Sequence, residues 1–198
     1  MKKIVLLSIA AAGLSLTGGG CATRAHYIQT GGRESIVSVN SINIQDFIQA
    51  ADAATSDLLA SGALDKVSTP PAVLAISRIV NNTGQQIDTD LLTKKIRVAL
   101  LQSGKALTTT TFTIGGPAED PMAQALQQQN DAQLNQRTGR TPNFTLSGKI
   151  IQTSVKDGST SQSTYSFQLS LTDPNSGLAV WEGEKEITKQ GGRGSVGF

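Results

Sequence analysis

The chain has 198 residues, 17 Lys+Arg against 15 Asp+Glu, one histidine and one cysteine. A single cysteine excludes a disulfide framework within the chain. Residues 1–20 carry Lys2 and Lys3 and no acid, so 15 charges of each sign remain after them, without the basic stripe that phosphate backbones require.

Lys2 and Lys3, an apolar stretch from Ile4 to Leu16 and the small residues Gly18 to Gly20 form a secretory signal, residues 1–20. The stretch spans about 13 residues, short of the roughly 20 of a membrane-spanning helix. Cys21 follows at the position where a lipoprotein signal peptidase leaves an acylated N-terminus, although Gly18 stands where a lipobox usually has Leu. Ordinary export with an incidental cysteine is the alternative, and it would leave an odd thiol exposed. Residues 21–40 are read as the lipidated N-terminus and a short flexible tether, reaching at most roughly 65 Å extended and about 25 Å as a coil.

The globular domain is expected over residues 41–190. Asn43 caps a first helix with Asp46 in its first turn, and Ile44, Phe47, Ile48, Ala51, Ala54, Leu58 and Leu59 recur at helical spacing up to Gly62. Ala72 to Ile76 reads as a buried strand continuing to Val80, followed by turn chemistry at Asn81-Asn82-Thr83-Gly84. Asp88 or Thr89 caps a second helix whose inner face is Leu91, Leu92, Ile96, Ala99 and Leu100, with Lys94, Lys95 and Arg97 outside it. Ala106 to Ile114 is Thr-rich and β-branched, a strand by composition. Glu119 to Asn135 is a Gln- and Ala-rich helix with a thin apolar face of Met122, Ala125 and Leu126, which predicts weak docking.

The last third alternates clearly. Phe144, Leu146, Gly148 and Ile150 form one strand, Asp157-Gly158 a hairpin turn, and Tyr165, Phe167, Leu169 and Leu171 a second strand with one buried face. Pro174 to Gly177 turns the chain into a third strand, Leu178 to Lys189, and residues 191–198 are expected to be a flexible tail. Helices on one face of a mostly antiparallel sheet make an α+β, two-layer domain.

The chemistry is sparse. His26 lies in the tether, so a Ser-His-Asp or Cys-His arrangement or a histidine metal site cannot be built in the domain. Asp88 and Asp90 stand at a helix start, where acids belong on dipole grounds. Gly191-Gly192-Arg193-Gly194 lacks the helix and Lys of a phosphate loop. Glu182, Glu184 and Glu186 share one strand face as a solvated edge, and Trp181 and Tyr165 read as core rather than as a binding platform. No catalysis, cofactor or metal is expected.

Several separated segments are familiar together: Asn43-Ile44-Gln45-Asp46, Ile79 to Thr83, Ile87 to Arg97, Ser103-Gly104-Lys105, Leu146 to Ile150, and Tyr165 to Lys189 with Leu171-Thr172-Asp173 and Val180-Trp181. In this order they resemble the LpoB family, outer-membrane lipoproteins that activate a penicillin-binding protein. The resemblance covers about residues 40–190. It implies a fold like the N-terminal domain of TolB and a monomeric, non-enzymatic activator, palmitate-bearing at Cys21. Such a protein would face the periplasm from the outer membrane and bind a bifunctional class A penicillin-binding protein to promote peptidoglycan synthesis. Ala22 suits outer-membrane sorting. Enterobacterial members have a long Pro-rich tether, whereas residues 22–40 hold no proline. The alternative is a structural or secretion-assembly envelope lipoprotein with a TolB- or CsgG-like domain. For partner binding, the exposed turns offer Asn81, Asn82, Gln86, Lys156 and Asp157, since loops carry recognition more often than core strands.

Overall fold

The computed structural model describes residues 25–111, 117–137, 139–192 and 196–197. Cys21 and the expected signal segment lie outside them. The elements in order are β1 (Val37–Ser38), α1 (Ile44–Ala60), a 3-10 turn (Ala63–Lys66), β2 (Ala72–Ile76), β3 (Val80–Asn82), α2 (Asp90–Gln102), β4 (Ala106–Thr108), α3 (Pro121–Leu134), β5 (Phe144–Asp157), β6 (Thr160–Asp173), β7 (Leu178–Gly192) and β8 (Val196–Gly197).

The expected α+β class is what forms. A six-stranded mixed sheet runs β4-β2-β5-β6-β7, with β3 also paired to β5. The antiparallel part is the meander β5-β6-β7, while β2 and β3 pair parallel to β5, and β2 parallel to β4. Gly158, at φ +52, takes the first place of the two-residue loop between the paired Asp157 and Thr160, as a tight hairpin requires. A bulge at Leu171/Thr172 gives β7 one extra residue, Val180, before Trp181.

The period of two sorts β6 cleanly. Ser163, Tyr165, Phe167, Leu169 and Leu171 are buried, while Thr164 to Thr172 on the other parity are half-buried. Against the buried face pack Phe47, Ala50, Ala51 and Leu58 of α1 and Leu92, Ile96 and Leu100 of α2, with Phe47 meeting Phe167 edge-on at 6.1 Å. Two glycines on this face make room for neighbours. A Cβ at Gly148 would lie 2.4 Å from Leu169 Cδ2, and one at Gly183 would lie 2.4 Å from the Trp181 ring. Trp181 itself donates from Nε1 to Asp57 Oδ2 at 2.8 Å, tying β7 to the end of α1.

The first helix starts as its sequence demands: Asn43 is extended, and its N–H donates to Asp46 Oδ2 at 2.7 Å. At α2 the Asp88 carboxylate accepts the Asp90 N–H at 2.9 Å. Leu91 is exposed and Ala99 half-buried, so the α2 inner face is narrower than its periodicity suggests.

Four expectations need correction. The strand from Ala72 does not run unbroken to Val80: Ile76 pairs with Leu146 and Val80 with Lys149, leaving one residue more on this side. Both the N–H and Oγ of Ser77 take the Leu146 carbonyl there. Arg97 does not lie outside the inner face of α2: it is only 6% exposed, and Glu119 ahead of α3 is its counter-charge. Part of the expected tether is folded, with Val39 and Ser35 buried and β1 paired to β8. The expected tail contributes Gly191 and Gly192 to β7 and Val196–Gly197 to that β1 pairing, through backbone bonds that need no side chain. Of the strand expected over 106–114, Ala106–Thr108 forms, and residues 112–116 lie outside the described ones. Helix α3 forms with no buried residue, in keeping with its thin apolar face.

Candidate docking surface

One end of the sheet carries a dense polar arrangement. There Lys189, buried on β7, pairs with Asp46 at the start of α1. Its ammonium also donates to the Ser41 carbonyl at 2.8 Å and to Asn43 Oδ1 at 2.6 Å, and lies 5.4 Å from the Tyr165 ring centre. Tyr165 is fully buried, and its hydroxyl donates to the Val39 carbonyl at 3.2 Å. Burial pushes that hydroxyl's pKa up.

Gln85 joins this end to the Asn81–Gln86 turn. Its Nε2 donates to the Asn40 carbonyl at 2.7 Å and to Tyr165 Oη at 3.0 Å, and its Oε1 accepts the Ile42 N–H at 3.1 Å. The backbone of residues 39–43 is thus clamped by side chains from the turn, β6 and β7.

The opposite sheet face is open and polar. A groove of about 710 Å3 runs over β3, β5, β6 and β7, with Asn82, Lys149, Gln168, Glu182 and Glu184 along it. Glu184 accepts from Ser166 Oγ and from Gln168 Nε2 at 2.7 Å, and those donors hold its carboxyl below the usual carboxylate range. The expectation that Glu182, Glu184 and Glu186 share one exposed face matches this strand's parity, but Lys189 on the other parity is buried.

The sequence-derived residues divide. Asn81 is occupied by its own turn, donating to the Gln85 carbonyl at 2.7 Å and accepting from the Thr83 hydroxyl and N–H. Asn82 and Gln86 are exposed. Lys156 and Asp157 are exposed at the β5–β6 hairpin. Asn82 pairs with Ile151, six residues along β5 from Asp157, so the two groups sit about 20 Å apart on the strand rather than converging. Sequence reasoning missed Gln85, Tyr165 Oη and the Lys189–Asp46 pair. A lysine on the parity of Trp181 and Ile187 was the available signal for the last of these.

His26 and Glu34 lie 4.0 Å apart on the exposed N-terminal segment. Among the described residues no group of three or more His, Cys, Asp or Glu is placed to hold a metal ion.

No curated protein sequence matches the chain. Among solved structures, the LpoB C-terminal domain from Salmonella enterica is 17% identical, with 72% of this chain and 98% of that one covered and a TM-score of 0.46. The corresponding domain from Escherichia coli is 15% identical over the same shares, with a TM-score of 0.43. The NMR structure of E. coli LpoB is 15% identical over 96% of this chain and 86% of that one, with a TM-score of 0.41. The family model described as "Peptidoglycan-synthase activator LpoB" matches residues 46–187, from the first turn of α1 to Ile187 on β7. The chain belongs to the LpoB family of peptidoglycan-synthase activators.

Proposed function

We propose that the protein is acylated at Cys21, sits on the periplasmic face of the outer membrane, and activates a bifunctional class A penicillin-binding protein by contact rather than by catalysis. The observation that carries this reading is the family match over residues 46–187, which takes in most of α1, all of α2, β5 and β6, and β7 as far as Ile187. In physical terms the domain binds the active form of the synthase better than the inactive one and shifts that equilibrium by the difference. The docking residues are the exposed Asn82, Gln86, Lys156 and Asp157, with Asn81 shaping the turn that presents two of them. The protein acts as a monomer on this reading.

Tether length enters directly. With residues 31–43 held on the domain, about ten residues separate Cys21 from Gly31, at most roughly 35 Å of chain. The synthase must therefore present its receptor within that distance plus the length of the domain itself.

Two measurements test the proposal. Labelled palmitate should enter the wild-type chain and not Cys21→Ala, with the label recovered in outer-membrane fractions. Purified mature protein should capture a class A synthase from its own envelope, and Lys156→Glu with Asp157→Lys should weaken capture at least tenfold. No incorporation of palmitate, or capture of no class A synthase, would overturn the reading.

A further inference from the structure

Helix α2 carries two apolar stripes. Leu92, Ile96 and Leu100 are buried in the core. Leu91, Val98 and Leu101 face outward at 39%, 41% and 44% exposure. Their spacing puts them along one side of the helix, and Lys94 and Lys95 fall between them. Ile48 and Asp52 of α1 join Leu91, Lys94, Lys95 and Val98 around an open groove of about 410 Å3.

The N-terminal segment leaves the domain beside this groove. Gly31 lies against Ile48, where a Cβ would be 3.7 Å from Ile48 Cδ1. Beyond it Ile28 is partly exposed and Tyr27 fully so. Ten residues back stands Cys21, at most roughly 35 Å away along the chain and about 17 Å as a coil.

We propose that the α1–α2 groove, with Tyr27 and Ile28, is a surface that rests on the phospholipid bilayer holding the anchor. This inference rests on acylation of Cys21 as read above. Apolar side chains interleaved with lysines on one exposed helical face match the boundary between headgroups and acyl chains, and an aromatic residue next to the anchor suits the same depth. Lys94 and Lys95 supply the charge that anionic headgroups attract. Lys94 also lies 3.8 Å from Glu119, an exposed pair that offers little competition. The anchor makes the contact intramolecular, so a patch too weak to bind vesicles alone is still populated. The opposite, polar face of the sheet is then turned away from the membrane toward protein partners.

The acylated full-length protein in vesicles tests this. Its native cysteine is blocked by acylation, so Val98→Cys and, as a control on the other sheet face, Glu186→Cys each give one labelling site for an environment-sensitive fluorophore. With anionic phospholipid present, quenchers carried on the lipid chains should quench the label at position 98 at least threefold more than at 186. Lys94→Glu with Lys95→Glu should bring the two to the same level. Equal quenching at 98 and 186 in protein that floats with the vesicles would overturn the inference while leaving the anchor intact. Protein that does not float would overturn the anchor and this inference together. A label at 98 that ignores lipid but responds to added class A synthase would assign the groove to that partner instead.

Discussion

Removing Asp46 tests the polar end of the domain most severely. Asp46→Ala leaves the Lys189 ammonium buried with only the Ser41 carbonyl and Asn43 Oδ1 as neutral acceptors, since both members of the pair are less than a tenth exposed. Stripping one partner from a buried ion pair costs about 3–5 kcal/mol. The Asn43 N–H also loses its acceptor, and the first turn of α1 its favourable charge, for about 1 kcal/mol more. A total near 5 kcal/mol should lower the melting temperature by roughly 10–20 °C at this chain length. Lys189→Met strands the carboxylate instead, but leaves it the Asn43 N–H, so its cost should be nearer 3 kcal/mol. The double variant removes both charges and should cost little more than the worse single one, a coupling of about 2–3 kcal/mol measured as a cycle of urea unfolding free energies. If Asp46→Ala falls within about 1 kcal/mol of wild type, or the two effects simply add, the pair is not the buried and mutually dependent one described.

Four further outcomes follow from the packing and the titrations. Gly148→Ala should destabilise by about 1–3 kcal/mol, because the new methyl meets the Gln168 carbonyl at 2.7 Å as well as Leu169. Gly84→Ala, with open space around its Cβ position, should stay within about 0.5 kcal/mol by the same urea measurement. Tyr165→Phe should cost about 1–3 kcal/mol and raise amide exchange at residues 39–43 before the rest of the domain, since it frees the Val39 carbonyl and a Gln85 donor. Glu184 and Asp173 are both held below their usual pKa by local donors. A depressed carboxyl stabilises above its unfolded value and loses that contribution as pH falls through its folded one. Urea midpoints should therefore drop on acidification below the ordinary carboxylate range, and Glu184→Gln should flatten that slope.

The sequence was most legible where a single periodicity governed the chain. The alternation from Phe144 to Ile150 and from Tyr165 to Leu171 marks the central strands and their buried faces, because one side packs on helices and the other meets water. The cap at Asn43 was readable for the same local reason. Features decided by distant partners were not. Arg97 reads as a solvent-facing cation until Glu119, outside its helix, covers it. Residues 35–40 look like a tether because their fixation comes from Tyr165 and Gln85, each more than forty residues away along the chain. The pairing of β1 with β8 is a backbone event with no side-chain signature. For docking, sequence pointed to exposed turns, and the fold separates them: Asn81 serves its own turn, while Asn82 on β3 pairs with Ile151, six residues along β5 from Asp157.

The most direct test of the central claim is the rate of glycan polymerisation by the organism's own class A synthases, measured with and without the purified mature protein at matched synthase concentration. The family assignment and the proposed contact predict a several-fold rise that saturates with added protein and is reduced by Lys156→Glu with Asp157→Lys. An unchanged rate with every class A synthase of the organism, together with no measurable binding, would contradict it.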